Sequence, residues 1–219
     1  MEELRLHIGG VALAADLILP ERPGGLVIFA HGSGSTRRIP RNRAVASVLT
    51  GAGLGTLLFD LLTEDEGRRR ELVFDIPLLA ERLEGATRWA IARPDARGLR
   101  VGYFGASTGA AAALRAAAAL GEAIRAVVSR GGRPDLAADR LPDVRAATLL
   151  LVGSRDTEVV ALNRQAGAML RCAHQLRVID GADHLFTQPG ALGTVARLAS
   201  EWFEQHLAAP APHLGAPSA

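Results

Sequence analysis

The stretch from Val101 to Leu114, VGYFGASTGAAAAL, places a serine between an apolar run typical of a β-strand and an alanine-rich run typical of a helix. Its centre, Gly105 to Gly109, has the pattern Gly-x-Ser-x-Gly, which in this context predicts a nucleophile elbow. A chain that turns from strand to helix so abruptly forces the serine into a strained conformation and leaves room only for small neighbours. We therefore expect the hydroxyl of Ser107 to stand above one edge of a sheet, near the N-terminus of the next helix. The alternative is a tight strand–helix turn without chemistry.

The rest of the chain alternates between short apolar runs and segments with helical spacing. Continuous apolar runs are typical of strands that are buried on both faces, as in parallel sheets. Two N-terminal runs, separated by Gly9 and Gly10, favour an antiparallel hairpin. The sequence thus predicts an α/β fold with a mostly parallel central sheet, an N-terminal antiparallel hairpin and helices on both faces. The predicted strands of the parallel part are Leu26–Ala30, Thr56–Phe59, Leu99–Phe104, Ile124–Ser129, Ala147–Val152 and Gln175–Ile179.

We expect one domain over residues 1–206, because 219 residues suit a single α/β unit and no linker-like segment interrupts them. The Ala- and Pro-rich segment 207–219 is expected to be a flexible tail. Residues Leu61–Arg70 combine an acidic run with a basic run and are expected to form a solvated surface loop. Helices are predicted at about Ala44–Ala52, Ile76–Ile91, Glu158–Leu170 and Ala191–His206.

The composition argues against several classes of function. The net charge is only +2 and the basic residues are spread along the chain, so nucleic-acid binding is not supported. No apolar run approaches the length of a membrane span, and the charged first residues are not expected to form a secretory signal. All 25 basic residues are arginine, which excludes Schiff-base chemistry, a Walker-type lysine and a Ser–Lys pair. With Cys172 as the single cysteine, we expect a cytoplasmic protein with no internal disulfide and no metal cluster.

Polar residues follow several predicted strands at the points where those strands end. The carboxyl ends of parallel strands share one edge of a sheet, where α/β proteins bind ligands. Ser107, Asp156 and His184 each follow a predicted strand, in the chain order nucleophile, acid, base that is expected of α/β-hydrolases. His184 would take the serine proton and return it to the leaving group, and Asp156 would orient the imidazole.

Each of these assignments has a plainer alternative. Asp156 also suits the N-cap of the helix that follows, in which case Glu158 is the next candidate acid. Asp183 is adjacent to the histidine in sequence, but neighbouring side chains generally point in different directions. Of the 6 histidines, only His184 follows the last predicted strand. His31 is expected to shape its loop rather than to act as a base.

The oxyanion hole is expected to combine two backbone N–H groups. One is that of Thr108, and the other is that of Ser33 in the glycine-rich loop after LVIFA, with Gly34 as the alternative. Arg130 follows a strand at the same edge, and Arg41 lies beyond the glycine-rich loop. Guanidinium groups in these positions would suit an anionic group of the substrate. The alternative is that both arginines form ordinary salt bridges at the surface.

Five segments together, LVIFAHGSGS, GASTGA, VSRGGRPDL, LLLVGSRD and GADHLF, resemble the dienelactone-hydrolase-like branch of the α/β-hydrolases over nearly the whole chain. The resemblance implies a single-domain, cofactor-free serine hydrolase with a minimal cap. Dienelactone hydrolases proper carry cysteine at the elbow, so Ser107 makes this chain a serine variant. Similar proteins include stand-alone chains and modules fused to a phosphoribosyltransferase, and we expect no such partner domain in these residues.

The length of one connection limits the cap over the site. Lipases and epoxide hydrolases usually insert a lid after the strand that corresponds to Ile124–Ser129, whereas here only Arg130 to Arg145 precedes the next strand. So small a cap favours small, soluble carboxylic esters as substrates of an acyl-enzyme mechanism on Ser107. We expect a monomer or a small homo-oligomer. Thioester or lactone hydrolysis, acyl transfer with the same triad, and a hydrolase-fold binding protein without activity are the alternatives.

Overall fold

The computed structural model describes residues 1–208. The strands are β1 Glu2–Ile8, β2 Val11–Ile18, β3 Leu26–Ala30, β4 Gly55–Phe59, β5 Val101–Ala106, β6 Ile124–Arg130, β7 Ala147–Gly153 and β8 His174–Ile179. The helices are α1 Pro40–Gly51, α2 Glu64–Gly67, α3 Arg70–Val73, α4 Ile76–Ala92, α5 Thr108–Leu120, α6 Thr157–Met169 and α7 Ala191–Leu207. Short 3-10 segments cover Pro94–Ala96, Gly121–Ala123 and Pro134–Asp143.

All of these strands belong to one sheet, in the order β1-β2-β4-β3-β5-β6-β7-β8. β2 pairs with β1 and β4 in antiparallel fashion, and the other neighbouring strands pair in parallel. This confirms the predicted mostly parallel sheet and its N-terminal hairpin, in which Ile8 lies opposite Val11. Because β5 lies between β3 and β6, the loops after these three strands meet at the same carboxyl edge.

Helices cover both faces of the sheet, as predicted. One face packs against α4, α5 and the Pro134–Asp143 segment, and the other packs against α1 and α7. Every residue of β3, β4 and β5 is buried, which explains their continuous apolar sequences. The alanines from Ala110 to Ala113 are fully buried, so α5 can pack closely behind β5. β8 has only one neighbouring strand and is largely exposed.

Two predicted elements differ from the structure. α1 begins at Pro40, before the predicted start at Ala44, because proline fits the first position of a helix. The segment Leu61–Arg70 lies largely at the surface, as predicted, but it contains α2 and the start of α3 and is therefore not a loop throughout. Thr63 and Glu66 exchange side-chain and backbone hydrogen bonds in a capping box, which stabilises the start of α2.

The C-terminal helix α7 extends to Leu207, one position past the predicted domain boundary at residue 206. Of the predicted tail, residues 209–219 lie outside the described part of the chain. None of the helices within residues 1–208 is both long enough and apolar enough to cross a lipid bilayer.

Candidate active site

Ser107 lies at a strained turn between β5 and α5. Its backbone dihedrals are φ 52° and ψ −121°, a region that residues other than glycine rarely occupy. Holding a residue there costs roughly 1–3 kcal/mol, so the surrounding structure must impose the conformation. The Ser107 N–H donates to the Arg130 carbonyl at 3.2 Å, and the Ser107 carbonyl accepts from the N–H groups of Ala110 and Arg133, each at 3.1 Å. These hydrogen bonds hold the serine at the carboxyl edge of the sheet.

The two glycines of the pentapeptide, Gly105 and Gly109, lie where there is no space for a side chain. A Cβ on Gly109 would lie 2.2 Å from the carbonyl oxygen of Ala30 and 2.4 Å from that of His31. A Cβ on Gly105 would lie 2.5 Å from Cα of Ala110. Because the opposing atoms belong to the backbone, they cannot move aside. Both positions therefore require glycine, which accounts for the spacing of the pentapeptide.

His184 and Asp156 lie in the loops that follow β8 and β7. Nδ1 of His184 and Oδ2 of Asp156 are 2.5 Å apart. Since a carboxylate only accepts hydrogen bonds, Nδ1 carries the proton of the neutral imidazole and Nε2 has the lone pair of a base. Asp156 is also the N-cap residue of α6, but its side chain makes no capping hydrogen bond. Glu158, the alternative acid, is exposed in the first turn of that helix.

Backbone contacts fix the loop of the acid against the loop of the histidine. A Cβ on Gly153 would lie 2.4 Å from the carbonyl oxygen of Ala182, so the two loops approach too closely for any side chain there. The N–H of Arg155 donates to the same carbonyl at 3.0 Å. Ser154 Oγ accepts from the N–H of Gly181 at 2.8 Å. The separation between carboxylate and imidazole is therefore set by the backbone.

Asp183 precedes the histidine directly, but its carboxylate binds its own loop. It accepts hydrogen bonds from the N–H of Leu185 at 3.1 Å and from the N–H of Thr187 at 3.0 Å. Hydrogen bonds from the hydroxyl and the N–H of Thr187 lower the pKa of Asp183 to about 2. Phe186 is buried at a positive φ of 56°, so this loop, like the serine turn, is held in a strained conformation.

The imidazole and the serine flank the same short segment after β6. A Cβ on Gly131 would lie 3.6 Å from Cε1 of His184. The residue before it, Arg130, accepts the hydrogen bond from the Ser107 N–H. Within residues 1–208, no hydrogen bond joins Ser107 Oγ to His184 Nε2, and such bonds are often long in a free enzyme. The structure therefore brings the predicted nucleophile, acid and base to one edge of the sheet.

The glycine-rich loop after β3 is attached to the first residue of α5. The Ser33 N–H donates to Oγ1 of Thr108 at 2.8 Å. Thr108 is buried, and its own N–H lies in the first turn of α5, where a helix provides no acceptor. Gly34, the alternative donor, is exposed and has a φ of 67°. The sequence predicted a role only for the Thr108 backbone; a hydroxyl directly after the nucleophile was the signal for this second contact.

His31 joins the glycine-rich loop to the loop that follows β4. Its Nε2 accepts from the Leu61 N–H at 3.0 Å, so Nδ1 carries the proton and donates to the Gly32 carbonyl at 3.0 Å. Burial lowers the pKa of His31, against the opposing effects of the Gly32 carbonyl and Asp60. Both ring nitrogens are occupied, so the contacts of His31 are those of a structural residue.

A cavity of about 950 Å³ opens between the glycine-rich loop and residues 60–73. Ser33 lines this cavity, whereas Ser107 and His184 do not. Its walls carry charges of both signs, from Arg37, Arg38, Asp60, Glu64, Asp65 and Arg68.

The two predicted substrate-binding arginines lie on the α1 side of the sheet. Arg130 ends β6 and is only 7% exposed, and Arg41 lies in the first turn of α1. Burial, together with the positive charge of Arg41, lowers the pKa of Arg130 to about 10. Arg37, only a few residues before Arg41, instead pairs with Asp16 and Asp60. Arginines that are close in sequence thus have opposite electrostatic surroundings.

No protein-family model matches the chain. Two curated relatives from Mycobacterium tuberculosis, strains CDC 1551 and H37Rv, are each named "Putative phosphoribosyl transferase" and are 57% identical over 211 residues. The alignment covers 96% of this chain and 48% of each relative. The chain therefore spans about half the length of the curated relatives it matches.

The chain is also similar to solved structures. The crystal structure of dienelactone hydrolase from Anabaena variabilis has a TM-score of 0.92 and 54% identity, and the alignment covers 94% of this chain and 98% of that chain. Est1E from Butyrivibrio proteoclasticus has a TM-score of 0.80 at 16% identity, over 93% of this chain and 98% of that chain. The second likeness concerns the fold alone.

Proposed function

Because the chain belongs to the dienelactone-hydrolase-like branch of the α/β-hydrolase superfamily, we propose that it hydrolyses small, soluble carboxylic esters through an acyl-enzyme on Ser107. The observation that carries this proposal is the 2.5 Å contact between His184 Nδ1 and Asp156 Oδ2 near a strained serine. A serine becomes a useful nucleophile when a base accepts its proton, and the base works best when a carboxylate orients it.

Acylation and deacylation use the same three side chains. Ser107 Oγ attacks the ester carbonyl carbon while its proton passes to Nε2 of His184. The imidazolium gives this proton to the leaving oxygen, the ester C–O bond breaks, and an alcohol departs from the acyl-enzyme. Water then attacks the acyl carbon, its proton passes through His184 to Ser107 Oγ, and the carboxylic acid is released. Asp156 stabilises the imidazolium in both halves without being protonated itself.

The negative charge of each tetrahedral intermediate falls on the former carbonyl oxygen. We propose that this oxygen accepts hydrogen bonds from the N–H groups of Thr108 and Ser33, with Gly34 as the alternative to Ser33. The 2.8 Å contact from the Ser33 N–H to Thr108 Oγ1 supports the closeness of the two donors. An oxyanion would compete successfully with this neutral hydroxyl, because charged acceptors form stronger hydrogen bonds. The dipole of α5 adds to the stabilisation.

The preference for small esters is supported by the connection between β6 and β7. This connection is short, and its 3-10 segment Pro134–Asp143 packs through Ala137 and Leu141 on the face of the sheet that α5 covers, so we propose that at most a minimal cap lies over the site. We propose a cytoplasmic setting, in keeping with a single cysteine, and a monomer or small homo-oligomer that needs no cofactor. The activity in the name of the mycobacterial relatives is not proposed for this chain, which spans about half of their length.

The test of the proposal is the Ser107→Ala variant, assayed with p-nitrophenyl acetate and p-nitrophenyl butyrate. We expect kcat to fall by at least about 10³-fold, since removal of the nucleophile leaves only binding and oxyanion stabilisation. Ser47→Ala is the matched control, because Ser47 is exposed on α1. A fluorophosphonate probe should label Ser107 in the wild type, as located by peptide mass spectrometry. Wild-type turnover by Ser107→Ala, or absence of the Ser107 adduct, would contradict the proposal.

A further inference from the structure

Arg130 points its side chain toward the layer of α1 and α7. Along β6, Ala126 and Val128 pack in the apolar cluster of that layer, and side chains alternate between the faces of a strand, so Arg130 shares their face. The residue is 7% exposed. A guanidinium so far removed from water is stabilised only when it is paired or hydrogen-bonded.

Among the described residues, no acidic group compensates the charge of Arg130. Its Nε and Nη1 are enclosed without a hydrogen-bond partner. Burial, then the positive charge of Arg41, lowers its pKa to about 10, and no carboxylate opposes these effects. The group still carries its charge at neutral pH, so the structure holds a buried cation next to a second cation. Such an arrangement costs stability, which suggests a functional reason for it.

The start of α1 adds two further donor groups at the same place. Arg41 lies in the first turn, and its Nε is also enclosed without a partner among residues 1–208. The N-cap residue Ile39 has no side chain that could cap the helix, and the first turn contains no acidic residue. The positive end of the dipole of this 12-residue helix is therefore not compensated by its own sequence.

We propose that Arg130, Arg41 and the N-terminus of α1 form a subsite that binds an anionic group of the substrate, either a carboxylate or a phosphate. Two guanidinium groups and a helix N-terminus are the donors that such oxyanions prefer. The inference rests on the proposed function, because it assigns a substrate class to the same active site.

The position of Arg130 connects this subsite to the serine. Arg130 pairs with Ala106 across the sheet, and its carbonyl accepts the N–H of Ser107 at 3.2 Å. An ester whose anionic group is bound by Arg130 is thus anchored one strand away from the nucleophile. Binding energy from such a remote group raises kcat/KM by orienting the scissile carbonyl. The preferred esters therefore carry a negative charge at a fixed distance from the bond that is cleaved.

The test compares two esters that differ in charge: p-nitrophenyl acetate and the mono-p-nitrophenyl ester of glutaric acid, whose acyl group ends in a carboxylate. The measured quantity is the ratio of kcat/KM for the charged ester to that for the neutral ester. We expect Arg130→Gln to lower this ratio by about 10- to 100-fold, the effect of losing a hydrogen bond to a charged group. Arg41→Gln should lower it several-fold, since Arg41 is only partly buried. Arg97→Gln, at an exposed position before β5, should leave it unchanged.

Inhibition by glutarate and by inorganic phosphate distinguishes the two anions. Whichever anion inhibits the wild type more strongly should lose most of its potency in Arg130→Gln. An unchanged ratio in both Arg130→Gln and Arg41→Gln, with Ser107 still labelled by the neutral fluorophosphonate, would overturn the subsite and leave the proposed function intact. If Arg130→Gln does not fold, Arg41→Gln decides the comparison alone.

Failure of the proposed function would have a different signature, namely wild-type protein that is not labelled and cleaves neither ester. Calorimetric titration with glutarate and with inorganic phosphate then tests, without any need for ester hydrolysis, whether the subsite binds an anion. Binding by the wild type that is lost in Arg130→Gln supports it. Absence of binding of either anion to the wild type overturns it.

Discussion

Arg37, which precedes α1, and Arg130, at the end of β6, are both nearly buried arginines, but they have opposite surroundings. Nε of Arg37 lies 3.2 Å from Oδ1 of Asp16, and its Nη1 lies 2.8 Å from Oδ2 of Asp60. The backbone N–H of Arg37 also donates to Asp60. Arg130 has no such partner among the described residues, and the nearest charge that acts on it is that of Arg41.

The difference shows how burial of the same chemical group serves two purposes. Burial lowers the pKa of Arg37, but the hydrogen bonds and charges of Asp16 and Asp60 together outweigh it and raise the pKa. That ion-pair network attaches the glycine-rich loop to β2 and to the end of β4, so it fixes the backbone that carries Ser33. Within residues 1–208, the charge of Arg130 has no such partner. We propose that it is available to a ligand, at a cost to the folded state.

Of the substitutions that test this difference, Arg37→Met is expected to have the largest effect on the unfolding free energy. The substitution leaves Asp16 and Asp60 without their principal partner, and the side chain of Asp16 is only 7% exposed. Breaking a buried ion pair from one side costs about 3 kcal/mol of unfolding free energy, measured by urea denaturation. Arg38→Met is the control, because Arg38 is exposed in the same loop. A loss below about 0.5 kcal/mol for Arg37→Met would show that the network is not structural.

A smaller effect of the opposite sign is expected from Arg130→Met. Methionine fills a similar volume without the cost of a desolvated cation, so the unfolding free energy should rise by about 1 kcal/mol. The measurement requires a buffer free of phosphate and carboxylates. Added phosphate or glutarate should then stabilise the wild type and not the variant, because a ligand stabilises only the state that binds it. A loss of stability as large as that of Arg37→Met would contradict the difference between the two arginines, since it would mean that Arg130 has a partner.

The serine turn could be predicted from sequence because its constraints are local. The requirement for glycine at positions 105 and 109 arises from atoms of the adjacent strand and helix, and it leaves a pattern within five residues. The parallel sheet was equally predictable, since strands buried on both faces have continuous apolar sequences. Asp156 and His184 could be proposed because strand alternation places the residues after β7 and β8 at the same edge as the serine.

The different surroundings of Arg37 and Arg130 could not be predicted in this way. Asp16 and Asp60 are 21 and 23 positions from Arg37 in sequence, and only the pairing of β2 with β4 brings them together. The α2 helix was missed for another reason. Its charged residues suggested a solvated loop, although Thr63 and Glu66 have the spacing of a capping box. An ion pair between residues distant in sequence leaves no local sequence pattern. The capping-box pattern of α2, in contrast, was present in the sequence, but the run of charged residues was interpreted as a loop.

The smallest effect concerns His31, which, like Arg37, lies within the influence of the Asp60 carboxylate. Burial lowers the pKa of His31, so between its folded-state pKa and the usual value of about 6.5 the unfolded chain binds more protons than the folded protein. The contribution of His31 is therefore fully present above pH 6.5 and is lost progressively as the pH falls through the folded-state pKa. Protonation of Nε2 also ends its acceptance of the Leu61 N–H.

We expect the unfolding free energy, followed by urea denaturation from pH 7 to pH 5, to fall less steeply in His31→Gln, whose amide oxygen remains an acceptor without titrating. Arg130→Met should retain the wild-type pH dependence, because the guanidinium of Arg130, with a pKa of about 10, does not titrate between pH 5 and pH 7. Equal slopes for His31→Gln and the wild type would show that the glycine-rich loop is held by Arg37 without a contribution from this histidine.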